Sequence, residues 1–178
     1  MSPMSLRRHL TRLAAGVSVA AATSALTLLA AAPAQAATPV TVTKALGTVM
    51  RINGSDGQES LRLTVFNGAV TVSNTLGSVQ AGSRCVQLGA AVKCDGVSSV
   101  GYNGNGGDDS FRNDTSLLVS ANGGAGTDRY TGGPGEDRFR GGLGSDIVNG
   151  GNGSDFCDAE TESACERDFP PPPKIRVP

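Results

Sequence analysis

Asp128, Asp137, Asp146 and Asp155 recur every nine residues in the run GGAGTDRYTGGPGEDRFRGGLGSDIVNGGNGSDFCD, and each stands five residues after the first glycine of a pair. The unit reads G-G-x-G-x-D-x-U-x, with U a large apolar residue. It is filled in succession by residues 123–131 (Gly123, Gly124, Gly126), 132–140 (Gly132, Gly133, Gly135), 141–149 (Gly141, Gly142, Gly144) and 150–158 (Gly150, Gly151, Gly153). Only the last unit departs, with Cys157 in the U slot. Carboxylates together with backbone carbonyls are the donor set of a hard cation such as calcium, and glycines let carbonyls turn inward around an ion. Glycine is also the residue that loses most freedom on ordering, so the repeat needs something that offsets this cost.

Upstream, GNGGDDSFR (104–112) fits the unit with Gly104, Gly107 and Asp109, while Asn105 replaces the second glycine. The ten residues that follow, NDTSLLVSAN, have neither the glycines nor the aspartate in register, and Leu118 falls in the acidic slot. A distant copy, GSDGQESLR, keeps Gly54, Gly57 and Leu61 and puts Glu59 in that slot.

The unit resembles the RTX (haemolysin-type) calcium-binding nonapeptide repeat, and the layout is similar to that of small secreted actinobacterial calcium-binding proteins. The resemblance implies a calcium-dependent parallel β-roll, a form of β-helix or solenoid in which two units complete a coil. Odd and even units then stack on opposite edges. If the degenerate segment completes a half-coil, Asp109, Asp128 and Asp146 line one edge, and Asp137 and Asp155 the other. About three calcium ions are expected, between 109 and 128, 128 and 146, and 137 and 155. Stacked aspartates repel without the ion and the U residues bury little surface, so folding and metal binding should be coupled. Phe111, Tyr130 and Val148 should form one inner row and Phe139 and Cys157 the other, as core packing. Arg129, Arg138 and Arg140 occupy outward positions and offset the acids.

Short strands must position these loops. TPVTVTKAL (38–46) alternates β-branched and small residues, as an opening strand does. LRLTVFNGAVTVS flanks Asn67-Gly68, the dipeptide suited to a type I′ turn, and so pairs Phe66 with Ala69 and Val65 with Val70. In CVQLGAAVKC, a type II′ turn at Gly89-Ala90 pairs Leu88 with Ala91, Gln87 with Val92 and Val86 with Lys93. Cys85 and Cys94 then face each other as a non-hydrogen-bonded pair, with Cα atoms about 4.5 Å apart and within disulfide reach. Of the three connectivities open to four cysteines, Cys85–Cys94 and Cys157–Cys165 are favoured by their local spacing. A four-thiolate zinc site is the competing reading, but the CxxC pairs such sites favour are missing. The second disulfide is expected to fold the following segment across the open end of the roll, since solenoids need caps.

Residues 1–36 read as a secretory signal peptide. Arg7, Arg8, His9 and Arg12 precede an apolar stretch that ends at Ala34-Gln35-Ala36; a transmembrane anchor fits these flanks less well. Export through the twin-arginine route has only Arg7-Arg8 in its favour. Cleavage leaves 142 of the 178 residues, with 12 basic against 16 acidic side chains and a net charge near −4. That balance is unlike a nucleic-acid-binding surface. The expected organisation is a β-hairpin-rich region at 37–103 capping the roll, RTX repeats at 104–158, and at 159–178 a disulfide-closed cap with a tail. Pro170 to Pro173 favour extended, solvated chain in that tail.

The only histidine, His9, lies in the expected leader. Histidine-dependent triads and zincin sites are thereby excluded from the mature chain. The expectation is a secreted, monomeric calcium-binding protein with a structural or extracellular interaction role, not an enzyme, with no membrane span and no nucleic-acid partner. Calcium-dependent adhesion to cell-wall or matrix components is one alternative. A polysaccharide-active enzyme using carboxylates alone is the other, with Asp56, Glu59 and Asp95 as its candidates; a structural loop role is the better reading of all three.

Overall fold

The computed structural model describes residues 38–168; the expected signal peptide and the proline run lie outside them. Alternating apolar residues produce short strands throughout, and no helix occurs among the described residues. The first strands are β1 (Val40–Lys44), β2 (Val49–Asn53), β3 (Ser60–Phe66), β4 (Ala69–Asn74) and β5 (Val79–Ala81). Then come β6 (Val86–Leu88), β7 (Ala91–Asp95), β8 (Ser99–Asn103), β9 (Ser110–Asn113) and β10 (Leu118–Gly126). The chain continues through β11 (Arg129–Thr131), β12 (Arg138–Gly144), β13 (Ile147–Asn149), β14 (Phe156–Cys157), β15 (Thr161–Ser163) and β16 (Arg167–Asp168). No helix long and apolar enough to cross a membrane is found among the described residues.

These strands build two eight-stranded sheets, ordered β16-β14-β12-β10-β8-β2-β1-β5 and β15-β13-β11-β9-β3-β4-β7-β6. From β8 onward each strand lies in the sheet opposite its predecessor, and each pairs in parallel with the strand two places on. The expectation of an all-β chain with a parallel roll preceded by a hairpin region is met in part. Both sheets are mixed, because β1, β4, β6 and β7 join them through antiparallel pairs. The hairpins share the sheets of the repeats: β2 and β3 pair in parallel with β8 and β9. An unpaired row of backbone donors and acceptors at the first repeat would be an exposed sheet edge, and β2 and β3 cover it.

Both hairpins have the registers their turns dictate. Phe66 faces Ala69 and Val65 faces Val70, with Asn67 and Gly68 at φ of 50° and 76°. In the second hairpin Val86, Gln87 and Leu88 face Lys93, Val92 and Ala91. Gly89 alone of its turn pair takes a positive φ, 58°, as a type II′ turn requires. Cys85 and Cys94 are bonded with Cα atoms 4.5 Å apart, and Cys157 is bonded to Cys165 at 6.0 Å.

The core lies between the sheets. Leu61, Phe111, Tyr130 and Val148 stand in register on one inner face, and Ile52, Tyr102, Ala121 and Phe139 on the other. Tyr102 stacks on Phe111 at 4.9 Å between ring centres, and Tyr130 on Phe139 at 5.4 Å. Cys157 is buried beyond Phe139. Its disulfide therefore draws Cys165 toward the core, and the last segment follows the path of the coils. β15 and β16 add one strand to each parallel ladder, where a segment crossing the open end was expected. On the outside Arg138 bonds Glu136 at 2.9 Å and lies over the Phe156 ring, and Arg140 pairs with Asp158 at 3.3 Å.

Candidate cation-binding rows

Turns leading from the first sheet to the second end at Glu59, Asp109, Asp128 and Asp146, each directly before a strand of the second sheet. Because Ser60, Ser110, Arg129 and Ile147 are in register, these four acids stack. A chain of hydrogen bonds runs along them. The Glu59 N–H donates to Asp109 Oδ1, that of Asp109 to Asp128 Oδ1 and that of Asp128 to Asp146 Oδ1, each at 2.9 Å. The Asp146 N–H donates to Glu160 Oε2 at 2.8 Å. Along the opposite edge Val119 N–H donates to Asp137 Oδ1, Asp137 N–H to Asp155 Oδ1 and Asp155 N–H to Glu166 Oε2, at 2.9, 2.8 and 2.8 Å. The repeat aspartates thus divide between two edges, as the two-unit coil implied by the resemblance requires.

In the degenerate segment Ser120 pairs with Arg138, so Val119 and not Leu118 stands opposite Asp137. The extra residue is taken up in the turn, where Asn113 Oδ1 accepts from the N–H and hydroxyl of Thr115. Asn113 Nδ2 also reaches both Asp137 oxygens at 3.2 Å. Glu160 and Glu166 close the two rows, and the sequence pattern does not single them out. Their loops are shorter than the nonapeptide turn, and the one usable signal is an acid immediately before a short strand.

All five aspartates are at most 2% exposed. Asp109 Oδ2 accepts from the Tyr102 hydroxyl at 2.9 Å, and Asp137 Oδ2 from Gly133 N–H at 2.9 Å. The outer oxygens of Asp128, Asp146 and Asp155 are buried without a hydrogen-bond partner, as is Glu59 Oε2. Each faces the first glycine of its own loop. A Cβ on Gly123 would strike Asp128 Oδ2 and the Gly141 carbonyl. On Gly141 it would strike Asp146 Oδ2, and on Gly150 the Ala164 carbonyl and Asp155 Oδ2. Gly104 and Gly132 hold the same place beside Asp109 and Asp137.

The other repeat glycines stack backbone on backbone. Gly124, Gly133, Gly142 and Gly151 lie against Asn105, Thr115, Gly124 and Gly132–Gly133 of the preceding coil. Gly107, Gly126, Gly135, Gly144 and Gly153 do the same against Gly57, Gly107, Ser116, Gly126 and Gly135. A side chain at these positions would push the coils apart. Unpartnered carboxylate oxygens beside backbone carbonyls form an oxygen-only donor set, which fits a hard cation. No three His, Cys, Asp or Glu side chains converge on one point among the described residues. Backbone carbonyls beside the carboxylates, such as those of Gly123, Gly141 and Gly150, are further oxygen donors at the same places.

Burial raises the carboxyl pKa of Asp128, Asp137 and Asp155 above the ordinary range, against the pull of backbone N–H donors. Burial pushes Asp109 up to about 7 from 3.8. An acid whose pKa is raised on folding favours the fold while protonated. In chelator Asp109 therefore contributes stability that is full below 3.8 and lost as pH rises through about 7. Far-UV circular dichroism in chelator is expected to show most β structure in acid and progressive loss toward neutral pH. A signal that instead grows with pH would contradict the burial of uncompensated acids.

Residues 122–157 match the family model of the RTX calcium-binding nonapeptide repeat, in four copies. The match spans the four consecutive units up to Cys157, one residue short of the end of the last, and begins downstream of the loops at Gly54 and Gly104. No curated protein and no solved structure matches the chain.

Proposed function

We propose that this chain, with its RTX calcium-binding repeats, is a secreted calcium-ion-binding protein of structural or extracellular interaction role, whose parallel ladders form a calcium-dependent β-roll. One observation carries the reading: buried carboxylates stack in two rows against glycines inside the matched repeats, and the outer oxygens of Asp128, Asp146 and Asp155 have no hydrogen-bond partner. Asp109 with Asp128, Asp128 with Asp146, and Asp137 with Asp155 would hold the ions. Carbonyls such as those of Gly123, Gly141 and Gly150 lie beside the same cradles. Bound calcium supplies the positive charge that these rows lack. The chain's own part is to fix the carboxylates by peptide N–H bonds from the preceding coil and to keep side chains out of the cradles.

The organisation proposed is a leader at 1–36, a hairpin-rich region at 37–103, repeats at 104–158 and a closing segment with a proline-rich tail at 159–178. Both disulfides are compatible with an extracellular location. Carboxylate-only catalysis is the weaker alternative. Asp95 is exposed and pairs with Lys93 at 3.2 Å, while Glu59 is buried and accepts from the N–H and hydroxyl of Ser55.

Calorimetric titration tests the reading. At least three ions should bind, with half-saturation at roughly 10⁻⁴–10⁻³ M, the range of extracellular calcium modules. Asp128→Asn should bind two fewer, because Asp128 belongs to both central sites of its row. Calcium binding that is undetectable, or a count that Asp128→Asn leaves unchanged, would sink the assignment.

A further inference from the structure

Glu59 lies outside the matched repeats, yet it occupies the head of the first row. Its loop, Gly-Ser-Asp-Gly-Gln-Glu, stacks on the Gly104–Asp109 loop although the two are fifty residues apart in sequence. Gly54 N–H donates to the Asn103 carbonyl at 2.8 Å, and Gly107 packs directly on the Gly57 backbone. The side chain is 2% exposed. Ser55 supplies the N–H, at 3.0 Å, and the hydroxyl that hold Oε1, whereas Oε2 is buried with no partner. Oε2 is aimed into the space over Gly54: a Cβ there would stand 2.9 Å from it and 2.5 Å from the Gly104 carbonyl. The same triad of carboxylate oxygen, first glycine and next-coil carbonyl recurs at Asp109, Gly104 and Gly123, and at Asp128, Gly123 and Gly141.

We infer that Glu59 and Asp109, with the Gly104 carbonyl, form an additional divalent-cation site that joins the hairpin region to the repeats. The inference rests on the calcium reading above. Two buried acids meet here, and among the described residues four polar hydrogens are directed at them: the N–H and hydroxyl of Ser55, the Glu59 N–H and the Tyr102 hydroxyl. None of these carries a charge. A hard cation compensates both acids and takes the free oxygen. Its effect on the fold is specific, because β2 and β3 meet β8 and β9 at this turn. Calcium would then order the N-terminal hairpins as well as the matched units.

The test is ion counting by native mass spectrometry on the full chain titrated with calcium. Glu59→Gln keeps an acceptor for Ser55 but removes the charge, and should bind one ion fewer than the wild type. Gly54→Ala keeps both acids and fills the cradle, so it should also lose one ion; it serves if Glu59→Gln does not fold. A folded variant of either kind with the wild-type count overturns the site. Asp128→Asn separates the two levels of failure. If it loses ions while Glu59→Gln and Gly54→Ala do not, only the additional site is wrong. If the wild type binds none, the calcium reading fails together with it.

Discussion

In excess chelator at neutral pH, the C-terminal coils are expected to lose most of their β structure and the protection of their amides from exchange. The magnitudes decide this. A buried polar group left unpaired costs about 1–3 kcal/mol, and more when charged. Asp128, Asp146 and Asp155 each present one such oxygen. Their sum is comparable to the roughly 5–15 kcal/mol that stabilises a whole domain. Offsetting burial is modest, because each short repeat strand contributes one inward side chain: Tyr130, Phe139, Val148 or Cys157. Loss should be uneven. The β3–β4 and β6–β7 hairpins have antiparallel ladders, and the second is next to the Cys85–Cys94 bond, so they should outlast β10–β13. Hydrogen exchange with and without chelator resolves the two regions. Equal protection of β10–β13 in both conditions would refute coupled folding.

Gly142→Ala is expected to be strongly destabilising, even in saturating calcium. Gly142 has φ of +121° and lies in register with Gly124, whose carbonyl an added Cβ would strike. Backbone strain at such a φ costs about 1–3 kcal/mol, and overpacking a close contact costs about as much again. Together these amount to roughly 2–6 kcal/mol, a large share of the stability of a domain, and should lower the thermal midpoint by about 10 °C or more. Gly68→Ala is the control. Gly68 also has a positive φ, 76°, but an added Cβ there meets open space. It should show the conformational cost alone. If both variants lose the same stability, backbone stacking between coils is not what demands glycine at 142.

Both outcomes depend on features that the chain encodes to different degrees. The edge assignment of Asp109, Asp128, Asp137, Asp146 and Asp155 follows from the nine-residue period together with the two-unit coil that the RTX resemblance implies, and for Asp109 it also needs the degenerate segment to complete a half-coil. The inner rows through Phe111, Tyr130 and Phe139 follow in the same way. Leu118 takes the wrong slot on counting because the degenerate segment carries ten residues, and counting cannot say whether the surplus one falls in the turn or the strand. The Asn113 and Thr115 bonds put it in the turn, which moves Val119 into register. Glu160 and Glu166 are invisible to the repeat template because their loops are too short for it.

Whatever is set over short chain distances is written in the residues themselves. Turn dipeptides dictate the hairpin registers and so bring Cys85 opposite Cys94, and the nine-residue beat, once two units are taken to make a coil as the RTX resemblance implies, dictates which acids share an edge. How the rows begin and end is settled only by the packing of distant segments. Glu59 joins Asp109 across fifty residues because the free edges of β2 and β3 pair with β8 and β9. The Cys157–Cys165 bond and the last two strands lay Glu160 and Glu166 under the final aspartates. The physical reason is that backbone donors and acceptors at a sheet edge are alike in every residue. Which strand satisfies them depends on the whole packed chain, and local residue type does not encode it.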